Sequence, residues 1–273
     1  MKNRYERFYL ELKRKIKLQD DMFIKLNEIK KESKLDKGLY NVINSIFYND
    51  VWHSENLPQI KNGSNIEVLE FEFGSKINLI NYLKNNGFKK ENIPRLVKKL
   101  TNLKKTVKKI HTTKIPPLTL DFIKEIHKII MKDLLINRGE IRKTIVKPSG
   151  SDYYYCLPQF ILKRLQDLIN FVNKELNKNP SKQNKLLLGC LFFTEFLLIH
   201  PFSNGNGRTA RVLLSLFIDP PIPITFDSCS DNEYFSLLEN RHTHINSAPI
   251  KLTKYILNAI YRSVANIHFL TVD

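Results

Sequence analysis

Acidic residues are scarce in this chain: 27 Asp and Glu face 44 Lys and Arg, for a net charge of +17 over 273 residues. Such an excess can mark a nucleic-acid or anionic-membrane surface. Yet Lys outnumbers Arg 33 to 11, and base-reading proteins lean on arginine for bidentate contacts. Charge alone therefore does not favour a nucleic-acid partner. Cysteine is nearly absent. Cys156, Cys190 and Cys229 lie far apart with no CxxC pair, which excludes a disulfide frame and a zinc finger and fits a reducing compartment. The opening MKNRYERFYLEL has no apolar h-region, so no secretory signal is expected. The longest apolar run, Leu186 to Ile199, is broken by Thr194 and Glu195 and falls short of the ~20 residues that span a bilayer. No transmembrane segment is expected, and the expected location is cytoplasmic. There is no 20–50-residue repeat, no GxxxxGK(S/T) phosphate loop and no GxSxG elbow. A homodimer is left open.

What is present reads as globular and mostly helical. Apolar residues make up 42%. Residues 3–31 read as one or two basic helices, with Phe8, Leu12, Ile16, Phe23, Leu26 and Ile29 recurring at helical spacing. A helix is expected over 39–54, and another over 76–86. In 92–111, Leu96, Leu100, Leu103, Val107 and Ile110 form a narrow apolar stripe flanked by lysine pairs. Those lysines read as a solvated face, with an electrostatic dock as the alternative. Ile115-Pro116-Pro117 marks a boundary between an N-terminal helical region, 1–115, and a second domain, 116–273. Thr119 is placed to cap the next helix. Residues 143–158 alone carry strand character, and a short β-hairpin is expected there. Helices follow over 159–177, 181–199, 208–218, 231–241 and 250–268.

The chemistry concentrates in residues 200–211, His-Pro-Phe-Ser-Asn-Gly-Asn-Gly-Arg-Thr-Ala-Arg. His200 sits at the end of an apolar helix, and histidine is the side chain suited to take a proton from a hydroxyl near neutral pH. A Gly-Asn-Gly turn follows and opens the next helix, where exposed backbone N–H groups bind phosphate. Gly205 and Gly207 allow positive φ and close approach of the backbone to a phosphate. Arg208 and Arg211, three apart, project from one face of the first turn, and their guanidinium forks suit phosphate oxygens. Base and phosphate cradle together point to transfer of a phosphate-containing group to a hydroxyl. His242-Thr-His244 has metal-like spacing but no third ligand, so it reads as surface.

The stretch resembles the Fic-domain signature HPFx(D/E)GNGRxxR, matching every defined position except Asn204. The segments LTLDFIKEIHKIIM and RGEIR, and the hairpin, come in the family's order, so the resemblance covers about 116–265. It implies an all-α Fic-type core with a short β-hairpin flap and an added N-terminal helical region. It also implies an enzyme that moves AMP from ATP to a Ser, Thr or Tyr hydroxyl of a target protein and releases pyrophosphate. By this resemblance His200 is the general base; Gly205, Asn206, Gly207, Arg208 and Arg211 hold the nucleotide phosphates; Asn240 lies near the adenine. Asn204 stands where the family has a carboxylate ligand for Mg²⁺. It offers a carbonyl oxygen without charge, so weaker metal binding is expected. Ile145, Val146, Tyr153, Tyr154 and Tyr155 belong to the flap on which a target segment would pair by β-augmentation.

Many family members are inhibited by a glutamate in a pattern (S/T)xxxE(G/N). Val51-Trp-His-Ser-Glu55-Asn56 at the end of the 39–55 helix fits it apart from Val51, with Glu67 as a rival and no inhibitory glutamate as the third option. The alternatives to AMP transfer are a different nucleotide donor, removal of AMP by the same site, or a weakly catalytic basic binding module.

Overall fold

The helix that ends at His200 is buried all round: every residue from Leu186 to Ile199 is inside. A helix apolar on all faces belongs at the centre of a bundle. That is its place in the computed structural model, which describes residues 3–31, 80, 81, 84, 89–112, 117–148, 152–219, 221, 222, 224 and 231–272. Among these residues the helices are α1 (Arg4–Lys15), α2 (Asp20–Lys31), α3 (Ile93–Thr112), α4 (Leu120–Ile130), α5 (Pro158–Leu176), α6 (Lys182–Ile199), α7 (Asn206–Ser215), α8 (Asp231–Thr243) and α9 (Ile250–Val272). The central α6 is packed by α1, α5, α7 and α9, while α4 packs on both α3 and α7. The expected all-α class holds. The expected helix over 39–55, with Glu55, and the rival Glu67 lie outside the described residues.

Local chemistry explains where helices start. The Thr119 hydroxyl accepts from the Phe122 N–H at 3.1 Å, and Ser181 does the same for Asn184 at 3.3 Å. Pro158 opens α5, where a missing N–H costs nothing. The stripe on α3 is buried through Leu96, Leu103, Val107 and Ile110. Its lysines pair sideways: Lys98 reaches Asp133 at 2.7 Å and Lys109 meets Glu125 on α4. Lys98 and Lys109 thus stay partly exposed beside the packed seam, whereas Lys99 is buried.

The N-terminal helices share the core. Phe8 and Leu12 of α1 are fully buried in one apolar cluster that extends from Tyr5 to Ile267. Arg4 reaches the buried Glu195 of α6 at 3.1 Å, and Arg241 of α8 pairs with the other oxygen of the same carboxylate. Both guanidinium groups also lie over the Phe8 ring, 5.2 Å from its centre. Glu195 is thus the charged centre that joins α1 and α8 to α6. No helix among the described residues is long and apolar enough to cross a membrane.

The expected β-hairpin is built differently. No strand occurs among the described residues. Among the described residues the two arms are joined by a backbone bond from the Tyr155 N–H to the Val146 carbonyl at 3.1 Å. Beyond it the Arg142 side chain reaches both arms, donating to the carbonyls of Thr144 at 2.6 Å and Cys156. A guanidinium supplies donors that a ladder would otherwise supply.

Candidate active site

His200 ends α6 in the left-handed conformation, φ 50° and ψ 62°, while its N–H still closes the helix on the Phe196 carbonyl at 2.9 Å. For a residue with a Cβ this costs about 1 kcal/mol. It turns the chain sharply, and Pro201 prevents the helix from continuing. The imidazole is stacked under the Tyr155 ring, with centroids 3.7 Å apart and planes 14° from parallel. Burial pushes it down to about 3, against a partial restoring effect of the Leu197 carbonyl; the nearby Arg142 and His242 add to the depression. Its Nδ1 is buried with no hydrogen-bond partner among the described residues. At neutral pH this is an uncharged base.

The loop after His200 is fixed from two sides. The Asn206 amide grips the backbone of Phe202, accepting from its N–H at 3.0 Å and donating to its carbonyl at 2.8 Å. Phe202 is fully buried and stacks on His127 at 3.7 Å, 9° from parallel. His127 Nδ1 accepts the Gly139 N–H at 2.7 Å. That network assigns the ring proton to Nε2, which donates to the Asn204 carbonyl at 2.9 Å. Burial lowers His127 to about 4, so it stays neutral in this role. Gly205 sits at φ 78°, and a Cβ there would lie 2.6 Å from the Met131 sulfur. Gly207 differs from expectation: it lies inside α7 without a positive φ, and a Cβ there would meet nothing within 4 Å. Its value is the open space it leaves.

The first N–H groups of α7 have no acceptor within the helix and mark its positive end. Arg208 and Arg211 project from α7 and line a cleft with Leu103, Val107, Val212, Ser215 and Ile224. Burial lowers the pKa of both, Arg208 to about 10 with the Arg95 charge adding to the effect. For Arg211 the proximity of Tyr234 acts against burial. Both side chains are half-buried, so their charges are less screened than in bulk water.

A half-buried neutral histidine ends α6, a glycine turn at positive φ follows, and Arg208 and Arg211 stand on the next helix; comparison with known proteins gives the family this stretch resembles. The Fic/DOC family model matches residues 117–218. The chain carries a Fic/DOC domain. A stretch of 126 residues is 27% identical to the protein adenylyltransferase fic-1 of Caenorhabditis briggsae, covering 44% of this chain and 24% of that one. Another of 106 residues is 34% identical to the ribonucleoside-diphosphate reductase small chain of Ostreid herpesvirus 1, covering 35% of this chain and 18% of that one. The chain therefore spans less than a third of either relative. Among solved structures, a Fic domain containing signaling protein from Bacteroides thetaiotaomicron shares the fold over 97% of both chains, with TM-score 0.61 and 18% identity.

Within the Fic domain the other expected site residues divide. The Asn206 side chain holds the Phe202 backbone through Oδ1 and one Nδ2 hydrogen, so it shapes the loop, and its own residue is the first of α7. The Asn204 Oδ1 accepts the Gly205 N–H at 2.6 Å. No three His, Cys, Asp or Glu side chains among the described residues are arranged to hold a metal ion. One neutral, engaged oxygen does not make a magnesium site, which ordinarily has a carboxylate or two beside the nucleotide phosphates. Asn240 is exposed on α8, and only its backbone carbonyl is engaged, by Thr243 and His244.

Two residues away, His242 corrects the surface reading. It stacks on Tyr153 at 4.0 Å and meets Tyr155 edge-on at 5.1 Å. Burial lowers it to about 4. The flap itself alternates: Ile145 and Tyr154 face outward, 58% and 61% exposed, while Tyr153 and Tyr155 turn toward His242 and His200; Val146 carries the bond between the arms. Sequence reasoning missed His127, Arg142 and His242 as parts of the site. Only the family-like segments containing the first two gave any signal.

Proposed function

We propose that this chain is a protein adenylyltransferase of the cytoplasm, moving AMP from ATP to a Ser, Thr or Tyr hydroxyl of a target protein. The acceptor oxygen attacks the α-phosphorus, the bond to the β-phosphate oxygen breaks, and pyrophosphate leaves. The hydroxyl proton passes to His200. Supporting this reading, the relatives that match the domain include proteins named as adenylyltransferases. The observation that carries it is the neutral imidazole of His200 at the end of α6, joined by the short loop 201–205 to α7, which bears Arg208 and Arg211.

Each part has a physical task. A ring that titrates near 3 in the free protein is unprotonated at pH 7 but holds a proton weakly. A polyphosphate beside it would favour the imidazolium and raise its basicity at the moment of need. The α7 N–H groups and the guanidinium groups of Arg208 and Arg211 would bind phosphate oxygens and stabilise the charge that develops as pyrophosphate departs. Gly207 leaves room for that approach. The flap would align the target segment beside Tyr155. In this reading Mg²⁺ accompanies ATP as the counter-ion of its phosphates, and Asn204 contributes no charge. The inhibitory glutamate is Glu55, acting on Arg211.

The test is incubation with ATP, GTP, CTP and UTP, each labelled on the α-phosphate, with a lysate as acceptor and mass spectrometry of the products. AMP attached to protein by the Glu55→Ala chain, and lost in His200→Ala, supports the proposal. No attachment from any nucleotide sinks it, and attachment from another nucleotide replaces the donor.

A further inference from the structure

Arg142 is 3% exposed and has no carboxylate partner among the described residues. Its side chain is satisfied by carbonyl groups alone. Nε donates to the His200 carbonyl at 2.7 Å and Nη1 to Thr144 at 2.6 Å. Nη2 donates to Cys156, with Ile199 at 3.4 Å. Its own N–H donates to the Pro201 carbonyl at 2.9 Å. One residue therefore holds the last carbonyl of α6, that of its cap His200, that of Pro201 in the motif loop, and one from each arm of the flap. The α6 carbonyls are the negative end of that helix, which suits a buried cation. The left-handed turn at His200 is what points its carbonyl outward to Nε.

We propose that Arg142 is the positioning residue of this site. It locks the left-handed backbone of His200 and sets both flap arms in register with it, so that a hydroxyl docked on the flap meets the imidazole. It touches neither substrate nor reacting atoms; it acts through His200 and through the Tyr155 ring stacked on it. The consequence for catalysis rests on the AMP-transfer reading, but the placement of His200 does not.

The planar fork is essential, because it spans carbonyls in three directions. A lysine ammonium keeps the charge but cannot reach all of them. The test is NMR of histidine-labelled protein, comparing the full chain with Arg142→Lys and with Arg142→Gln. His200 and His127 both stack on an aromatic ring at 3.7 Å, so both should show ring C–H signals displaced upfield. His127 has no contact with Arg142 and serves as the internal control; His200→Ala assigns the second signal. The expected result is that His200 loses its displacement in either variant while His127 keeps its own. In the transfer assay, kcat should fall at least tenfold with the KM for ATP within twofold, since the α7 cradle is untouched. An unmoved His200 signal in a folded variant overturns the proposal. So does simultaneous loss of the His127 signal in both variants, because Arg142 would then be holding the fold as a whole. The NMR arm uses no nucleotide. A chain that transfers no AMP, yet shows the His200 shift, sinks the proposed reaction and leaves this placement standing.

Discussion

The phenol ring of Tyr155 covers the imidazole of His200 at 3.7 Å, and this stack joins the flap to His200. Burial is the largest cause of the low His200 pKa. Tyr155→Ala removes the cover and admits water. His200 should then titrate closer to the 6.5 of a free imidazole. Since His200 must be neutral to accept a proton, the acid limb of the rate profile should move to higher pH. Titration of the His200 ring signals by NMR checks the direction; an unchanged or lower value would contradict the assignment of burial as the cause.

His200→Ala should remove at least about 100-fold of kcat, the usual share of a positioned proton acceptor. The fold should survive, because the side chain makes no hydrogen bond through Nδ1 and the backbone is held by Arg142. The measurement pairs a labelled-ATP assay with a thermal melt. A fully active variant would mean that the proton goes elsewhere.

The two loop glycines should respond in opposite ways. Gly205→Ala places a Cβ at positive φ and 2.6 Å from the Met131 sulfur, so it should destabilise by about 1–3 kcal/mol. Gly207→Ala meets nothing and sits in a helix. There alanine should stabilise by roughly 0.5–1 kcal/mol. If a phosphate approaches that backbone, the same methyl should lower transfer. A higher melting temperature with lower activity would support the cradle; equal activity would remove Gly207 from it.

Much of this was legible from residues 200–211, where chemistry and turn geometry share one short stretch. His200 and Gly205 have the expected backbone because local rules govern them, a helix end and a positive φ, whereas the helix starts at Asn206 and so puts Arg208 in its first turn and Arg211 in its second. The misreadings share a cause. The residue type of Asn206 does not show that its amide holds the Phe202 backbone. His242 looks like surface until the flap folds over it from 89 residues earlier in the chain. Arg142 lies in the family-like RGEIR segment, but nothing there shows what it holds, since its partners are main-chain carbonyls. Contacts made by the backbone leave no mark on residue type.

Acid should weaken the fold through the same histidines. His200, His127 and His242 all stand below the 6.5 of a free imidazole, at about 3, 4 and 4, with burial the first cause in each. Between those values and 6.5 the unfolded chain binds protons that the folded chain refuses. Stability therefore rises with pH across that window, and it is lost as pH falls from about 6.5 toward 4. Chemical denaturation at several pH values should show this slope. His200→Ala, which removes one of the three, should make it shallower; an identical slope would argue that His200 is not buried neutral in solution.

Glu195 offers the sharpest contrast between the two ends of one interaction. Its carboxylate is 3% exposed and binds Arg241, equally buried, and Arg4, which is 27% exposed. Removing a buried partner from such a group leaves an uncompensated charge, at a typical cost of about 3–5 kcal/mol. Glu195→Gln should incur that cost, because Arg241 has nowhere to take its charge. Arg4→Met should cost less, since Arg241 still neutralises the carboxylate and the aliphatic chain can keep contact with Phe8. Because α8 also carries His242, loosening Arg241 should be felt at the flap. Denaturation midpoints rank the two variants, and the Tyr153–His242 stack, read from the His242 ring shift, reports the second effect. Equal losses for Glu195→Gln and Arg4→Met would mean that the exposed arginine, not the buried one, carries the pairing.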